Sequence, residues 1–232
     1  MQLYLDDNLD KMRELYIEYG ESFADCVYAD CIYEEVEFYE WVDLAFDCLK
    51  WDGIFYVQTD YHTVAHYKLY LDYKFENEGG KFINWLIYKQ EWGGVPKNAF
   101  PRKHDDILMY SKGAEYKFYR DRIQVPKVTA GTSLDKKGTG LKTPCDVFDD
   151  LGNFHTTSKE RIKKGDRNIQ WQKPLKLMNR LLLPVTDYGD VVLDPFMGSG
   201  STGEWCKQNN REFIGIENDP EVFEIARKRL ED

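Results

Sequence analysis

The chain has 232 residues, 31 Lys+Arg against 41 Asp+Glu and a formal net charge of -10, enough length for one domain with a full core and a small insertion. No apolar run approaches the ~20 residues of a membrane span, and the opening MQLYLDDNLD lacks the basic and apolar regions of a leader, so secretion and membrane spanning are not expected and a cytoplasmic protein is. Five cysteines, odd in number and without CxxC spacing, read as reduced thiols, and with four scattered histidines they suggest no metal site.

Residues 2–5 read as a short strand that stops at Asp6-Asp7-Asn8, where a helix begins with Leu9, Met12, Leu15 and Tyr16 at helical spacing. Cys26-Val27-Tyr28-Ala29 has a buried-strand pattern and runs into Asp30-Cys31-Ile32-Tyr33. Residues 35–50 are expected as an amphipathic helix, Trp51-Asp52-Gly53 as a turn and Gly53–Val57 as a second buried strand. A helix over His62–Asp72, a strand near Phe82–Tyr88, a proline- and glycine-broken loop over 90–104 and a strand over Asp106–Ser111 follow. Residues 119–168 are polar, basic and turn-rich, with the character of a mobile insertion. A helix over Pro174–Leu183 restores order, and an amphipathic helix over Glu221–Leu230 closes the chain. Alternating strands and helices predict an α/β fold, a mostly parallel central sheet with helices on both faces.

The most informative stretch is VVLDPFMGSGSTG, residues 191–203. An apolar run meets Asp194, then a turn containing Pro195, Gly198 and Gly200, then a helix opening at Ser201-Thr202. Glycine lets the backbone approach a ligand closely, and a helix N-terminus offers unpaired N–H groups. Phe213-Ile214-Gly215-Ile216-Glu217 then reads as a second strand ending in a carboxylate placed to accept hydrogen bonds from a ribose.

The acidic total hides a basic segment. Residues 101–180 hold 18 Lys+Arg against 10 Asp+Glu, and the rest of the chain 13 against 31. An acidic body with a basic middle is the pattern of one local phosphate-contacting face.

DPFMGSGSTG followed by FIGIE resembles the S-adenosylmethionine-binding motif of the amino-methylating DNA methyltransferases. The order of DxxY strand, basic insertion, QKP helix and C-terminal glycine loop resembles the β class of that family. The resemblance implies a Rossmann-like methyltransferase fold with residues 1–118 as catalytic half, 119–168 as basic target-recognition insertion and 169–232 as cofactor half. It places Asp194, Phe196, Gly198, Gly200 and Thr202 along the cofactor, Glu217 on its ribose, Asp7 of LYLDDNLDKM at its adenine, and Lys173 and Pro174 near its methionine end. FPRKHDDILMYSKG resembles the segment before the target-recognition insertion. Phosphate contacts would come from Arg102, Lys103, Arg120, Arg122, Lys127, Lys136, Lys137, Lys163 and Lys164, with Trp92, Phe100 and Tyr119 as stacking or wedging aromatics. Double-stranded DNA is the implied partner; a homodimer and a restriction endonuclease of the same system stay open.

The catalytic motif departs from the family. Where D-P-P-Y is usual, this chain has Asp30-Cys31-Ile32-Tyr33, preceded by a second DxxY at Asp25-Cys26-Val27-Tyr28. The apolar run entering the motif favours Asp30 and Tyr33 as the catalytic pair. An exocyclic amine is a poor nucleophile because its lone pair is delocalised into the base. A carboxylate accepting its hydrogen bond raises electron density on nitrogen, and an aromatic ring stacks on the flipped base. The acid favours adenine N6 over cytosine N4 as target. Two alternatives remain: an accessory DNA-binding homologue without turnover, and a pyrimidine-C5 methylase using Cys31 as thiolate with Glu34 or Glu35 as acid.

Overall fold

The computed structural model describes residues 1–31, 39–90, 94–136, 138–152, 154, 157–164, 167–168 and 172–231. Its apolar runs assemble side by side in one eight-stranded sheet. In chain order the elements are β1 (Gln2–Leu5), α1 (Asn8–Tyr19), β2 (Ala24–Asp30), α2 (Glu40–Cys48), β3 (Leu49–Thr59), α3 (Val64–Asn77), β4 (Lys81–Lys89) and β5 (His104–Ser111). Four strands of two residues follow: β6 (Val125–Pro126), β7 (Leu141–Lys142), β8 (Val147–Phe148) and β9 (Lys163–Lys164), then a fifth, β10 (Arg167–Asn168). The chain closes with α4 (Leu175–Leu182), β11 (Val191–Asp194), α5 (Ser201–Gln208), β12 (Glu212–Glu217) and α6 (Pro220–Glu231).

The sheet order is β1-β12-β11-β2-β3-β5-β4-β8, and β5 alone runs against its neighbours. The parallel strands therefore present their C-terminal ends along one edge, where ligands of open α/β sheets bind. Alternation along β2 splits the core in two. Val27 and Ala29 join Met12, Leu15, Trp41, Phe46 and Phe75 on the face covered by α1, α2 and α3. Cys26 and Tyr28 join Leu177, Leu181, Trp205 and Leu230 on the face covered by α4, α5 and α6. No helix among the described residues is long and apolar enough to cross a membrane.

Four expectations change. Trp51-Asp52-Gly53 is no turn but part of β3: Leu49 pairs with Ala24 and Ile54 with Cys26, so residues 50–53 form a bulge that keeps β3 continuous and brings Lys50 onto Asp25. Helix α2 accordingly stops at Cys48, with Leu49 and Lys50 already strand, while residues 35–38 lie outside the described residues. Helix α3 runs past Asp72 to Asn77 because the buried stripe Tyr67, Leu71, Phe75 continues at four-residue steps. The segment 119–168 is tied to the body: β8 pairs with β4, Phe148, Ile123 and Phe154 are buried, and the Tyr119 N–H donates to the Pro184 carbonyl at 2.6 Å.

Candidate active site

The glycine loop is folded back on β12. The Met197 N–H donates to the Ile216 carbonyl at 3.0 Å, the Gly198 N–H to Glu217 Oε2 at 3.0 Å and the Gly200 N–H to the Met197 carbonyl at 2.9 Å. Gly198 and Gly200 hold φ of 52° and 77°, the left-handed region that side chains resist. A methyl group on Gly203 would lie 2.7 Å from the Phe213 ring, and one on Gly215 2.5 Å from Met197 Sδ, so α5 and the loop seat directly on the strand. Arg229 of α6 completes the brace by donating to the Ser199 carbonyl at 3.0 Å and to Ser201 Oγ at 3.2 Å.

A cavity of about 680 Å3 opens at the C-terminal edge of the sheet. Asp6, Asp7 and Asn8 line it after β1, Tyr28 and Asp30 on β2 with Cys31 just past it, and Gln172 and Lys173 ahead of α4. Residues 194–199, Ser201, Thr202, Ile216, Glu217, Asn218 and Val222 complete the wall. Asp7, Asp30, Lys173, Asp194, Phe196, Gly198, Thr202 and Glu217, separated by up to 210 positions, thus share one space. Two of the expected residues stand outside it. Pro174 is buried at the N-cap of α4, and Gly200 faces α6, where a Cβ would meet Leu230 at 3.1 Å. Asp7 also caps α1, its Oδ1 accepting from the Leu9 N–H at 2.9 Å, and Phe196 packs edge-on against Trp41 with ring centres 5.1 Å apart. Tyr33, Glu34 and Glu35 lie outside the described residues.

Among the described lining residues, five carboxylates (Asp6, Asp7, Asp30, Asp194, Glu217) face one cation, Lys173. Burial pushes the Asp194 carboxyl up to about 7, against hydrogen bonds from the Thr202 hydroxyl and the Phe196 N–H and with the charge of Asp30 adding to the rise. Burial likewise raises Glu217, opposed by the N–H groups of Asp219 and Gly198. Asp30 Oδ2 lies 2.7 Å from Lys173 Nζ, and Asp105 Oδ2 lies 3.8 Å from the same ammonium. Gln58 donates to Asp105 at 2.9 Å and accepts from the Tyr28 hydroxyl at 2.7 Å. Sequence reasoning assigned nothing to Gln58, Asp105 or Arg229, because a lone polar residue in a strand, or an arginine on an amphipathic helix, carries no local signature.

The two DxxY copies separate cleanly. Asp25 is outside the cavity, its carboxylate accepting from Lys50 at 2.8 Å and from the Val191 N–H at 2.9 Å, so it ties β2 to β3 and β11. Asp30 is in the cavity. Cys31 is 2% exposed, and burial, with the charges of Asp30 and Asp194 added, pushes its thiol well above the ordinary cysteine value. The pyrimidine-C5 alternative needs a thiolate there, and these surroundings oppose one.

The basic candidates divide as well. Arg102 is exposed and stacks on the Tyr61 ring at 4.1 Å; Arg120, Lys136 and Phe100 are exposed too, and Lys103 is partly so. Arg122 is exposed but engaged, bonded to Asp187 at 2.6 Å and to the Thr186 carbonyl at 2.9 Å, and Lys127 is paired with Asp135. Lys163 and Lys164 form β9, paired antiparallel with β10, while Lys137 and Trp92 lie outside the described residues.

A family model described as DNA methylase matches residues 33–228. The chain is 31% identical over 196 residues to the type II methyltransferase M.HpaI of Haemophilus parainfluenzae, covering 83% of this chain and 58% of that protein. It is 29% identical over 196 residues to M2.DpnII of Streptococcus pneumoniae, covering 83% and 65%. The chain thus spans about three fifths of the length of these curated relatives. Among solved structures, the M1.HpyAVI–SAM complex superposes with a TM-score of 0.71 at 23% identity over 99% of both chains. The PvuII DNA methyltransferase, described as cytosine-N4-specific, superposes with 0.73 at 17% identity over 99% of this chain and 86% of that one. These likenesses show a shared methyltransferase fold, and with the family match spanning most of its length the chain belongs to the N6/N4 DNA methylase family.

Proposed function

We propose that the protein is an S-adenosylmethionine-dependent DNA methyltransferase acting on the exocyclic amine of a flipped base, adenine N6 in preference to cytosine N4. The observation that carries this reading is the shared cavity: Asp30, read as the group that engages the acceptor amine, opens onto the same space as the glycine loop, Asp194 and Glu217. The donor set fits the cofactor. An acidic lining suits a ligand bearing sulfonium and ammonium charges, and Glu217 ends the second strand where a ribose diol would donate. Asp7 serves the adenine, Phe196, Gly198 and Thr202 the nucleoside body, and Lys173, with Pro174 fixing the backbone behind it, the methionine end.

When bound, the cofactor supplies an electrophilic methyl group. Asp30 accepts a hydrogen bond from the target amine and takes up the proton that nitrogen loses, while Tyr33 stacks on the extruded base. The division into catalytic half (1–118), recognition insertion (119–168) and cofactor half (169–232) belongs to this reading, as do duplex DNA as substrate and a cytoplasmic location. Free cysteines throughout support a reducing compartment. Arg102, Lys103, Arg120 and Lys136 are the phosphate contacts the geometry favours.

The test is incubation with labelled S-adenosylmethionine and mixed-sequence duplex DNA, followed by nucleoside digestion and mass spectrometry. N6-methyladenine is the expected product, lost in Asp30→Ala. N4-methylcytosine would move the target, and cofactor binding without any product on a randomised-site library would support the accessory alternative.

A further inference from the structure

The polar chain behind Asp30 is longer than the proposed chemistry uses. Strand β5 is the one reversed strand, so its first residues, not its last, reach the ligand edge of the sheet. His104-Asp105-Asp106 arrives there with side chains alternating across the sheet. Asp106 turns away and accepts from Trp85 Nε1 at 2.7 Å. Asp105 lies 3.8 Å from Lys173 and accepts from Gln58 at 2.9 Å. Gln58, fully buried, is held at both ends of its amide, and its own carbonyl accepts the Cys31 N–H at 3.0 Å.

We infer that Asp105 and Gln58 are positioning residues for Asp30: Asp105 shares the Lys173 ammonium with it, and Gln58 fixes the backbone directly after it. The inference rests on the reading of Asp30 as the group that engages the amine. One ammonium between two carboxylates leaves the trio with a net negative charge. Asp30 is thereby oriented while the one cation is shared, and it keeps the electron density that an amine hydrogen attracts. With Asp105 uncharged, the Lys173 ammonium draws more density from Asp30. Asp6 and Asp7 after β1, Tyr28 on β2 and Cys31 just past it, Asp194 on β11 and Glu217 on β12 are the other titratable groups lining this space among the described residues, and none of them is a cation.

The experiment compares wild type, Asp105→Asn and Asp105→Glu. Each is followed by steady-state methylation across pH and by titration of carbon-13-labelled aspartate carboxyls, with Asp30 assigned through Asp30→Asn. In Asp105→Asn, kcat is expected to fall about tenfold with KM for cofactor and DNA within about twofold, as misplacement of a reacting group requires. The acid limb of the kcat profile and the Asp30 titration both move to lower pH, and Asp105→Glu restores part of each. An Asp30 titration that does not respond to Asp105→Asn overturns the inference, as does a kcat loss matched by a lowered melting temperature with the pH limb unmoved. An Asp30 titration that moves in Asp105→Asn while the wild type shows no turnover leaves the ionic coupling standing and sinks the proposed function instead.

Discussion

Glu217→Gln separates the two demands on the carboxylate at the end of β12. In the wild type Oε2 accepts the Gly198 N–H at 3.0 Å and Oε1 accepts the Asp219 N–H at 2.8 Å, so both oxygens hold the backbone that frames the cavity. An amide of the same shape keeps one acceptor and sets its NH2 against the other N–H. Leaving one such group unsatisfied costs about 1–3 kcal/mol, toward the lower end here because Glu217 is only partly buried. A ribose hydroxyl would also exchange a charged acceptor for a neutral one, a further loss of about 1 kcal/mol. Part of this is offset, since the amide escapes the burial that raises the Glu217 carboxyl. The backbone loss is present with or without ligand and falls on stability, so affinity carries the ribose loss of about 1 kcal/mol, a weakening of roughly fivefold for S-adenosylmethionine by isothermal titration calorimetry. The free protein should melt about 2–6 °C lower, given the few degrees per kcal/mol expected for a chain of this size. Affinity within twofold of wild type, with the melting temperature unchanged, would refute both the ribose assignment and the brace on Gly198.

Four other outcomes follow from the same geometry. With its carboxyl near 7 when folded and near the ordinary ~4 when unfolded, Asp194 keeps a proton that the unfolded chain has lost, so its contribution weakens stability as pH rises from about 4 to about 7. Asp194→Asn should therefore gain melting temperature relative to wild type across that window; a constant difference from pH 4 to 8 would contradict the assignment. Cys31→Ala should keep amine methylation within about threefold by nucleoside mass spectrometry, because the thiol is buried and protonated rather than nucleophilic; 5-methylcytosine from the wild type, absent in the variant, would reverse that conclusion. Asp25→Ala should lower unfolding free energy by about 1–3 kcal/mol in urea by stranding the Val191 N–H, with cofactor affinity far less affected than in Glu217→Gln; unchanged stability would count against its role as a strand tie. Arg102→Ala should reduce the slope of log DNA affinity against log salt by about 0.9. Arg122→Ala, with its guanidinium already on Asp187, should change melting temperature and not that slope; equal slope changes would show that both arginines reach phosphate.

What was legible in the sequence was whatever local chemistry leaves in a short window. The glycine loop could be read because left-handed turns at Gly198 and Gly200 and close seating at Gly203 and Gly215 demand glycine, and because an acid ends each flanking strand. The choice of Asp30 over Asp25 followed from the apolar run Val27-Tyr28-Ala29, which makes Asp30 the residue that emerges from the sheet edge. Reversal of β5 was not legible, since direction in a sheet is fixed by partners and not by the strand's own pattern, and without it Asp105 has no reason to meet Lys173. Charge counts fared worst. A lysine-rich segment looks the same whether its cations reach out, as Lys136 does, or fold back, as Lys127 does on Asp135 eight residues away and Arg122 does on Asp187 across 65 positions. The turn expected at Trp51-Asp52-Gly53 failed for a related reason: a bulge uses turn-forming residues while keeping the ladder on either side.

The missing prolines can be weighed in the same terms. A D-P-P-Y turn is stiff because the ring fixes φ, and the first proline has no N–H to place. Cys31 has an N–H, and it is used: the bond to the Gln58 carbonyl at 3.0 Å pins the residue after Asp30 to β3. Gln58 in turn cannot swing, because Asp105 and Tyr28 hold the two ends of its amide. Rigidity that the proline ring would supply locally is thus supplied by a neighbouring strand, and the burden moves from the motif to residues that no motif contains. Strand register then sets the distance over which the chemistry must act. Val27 pairs with Leu193, so Asp194 lies one residue beyond that pair and Asp30 three. Two residues of stagger at ~3.3 Å each, across a ~4.8 Å strand spacing, put the two acids roughly 8 Å apart at Cα. Asp194 is thus the deeper of the two and Asp30 the more advanced, and on the proposed reading that stagger sets cofactor and base in order along the cavity.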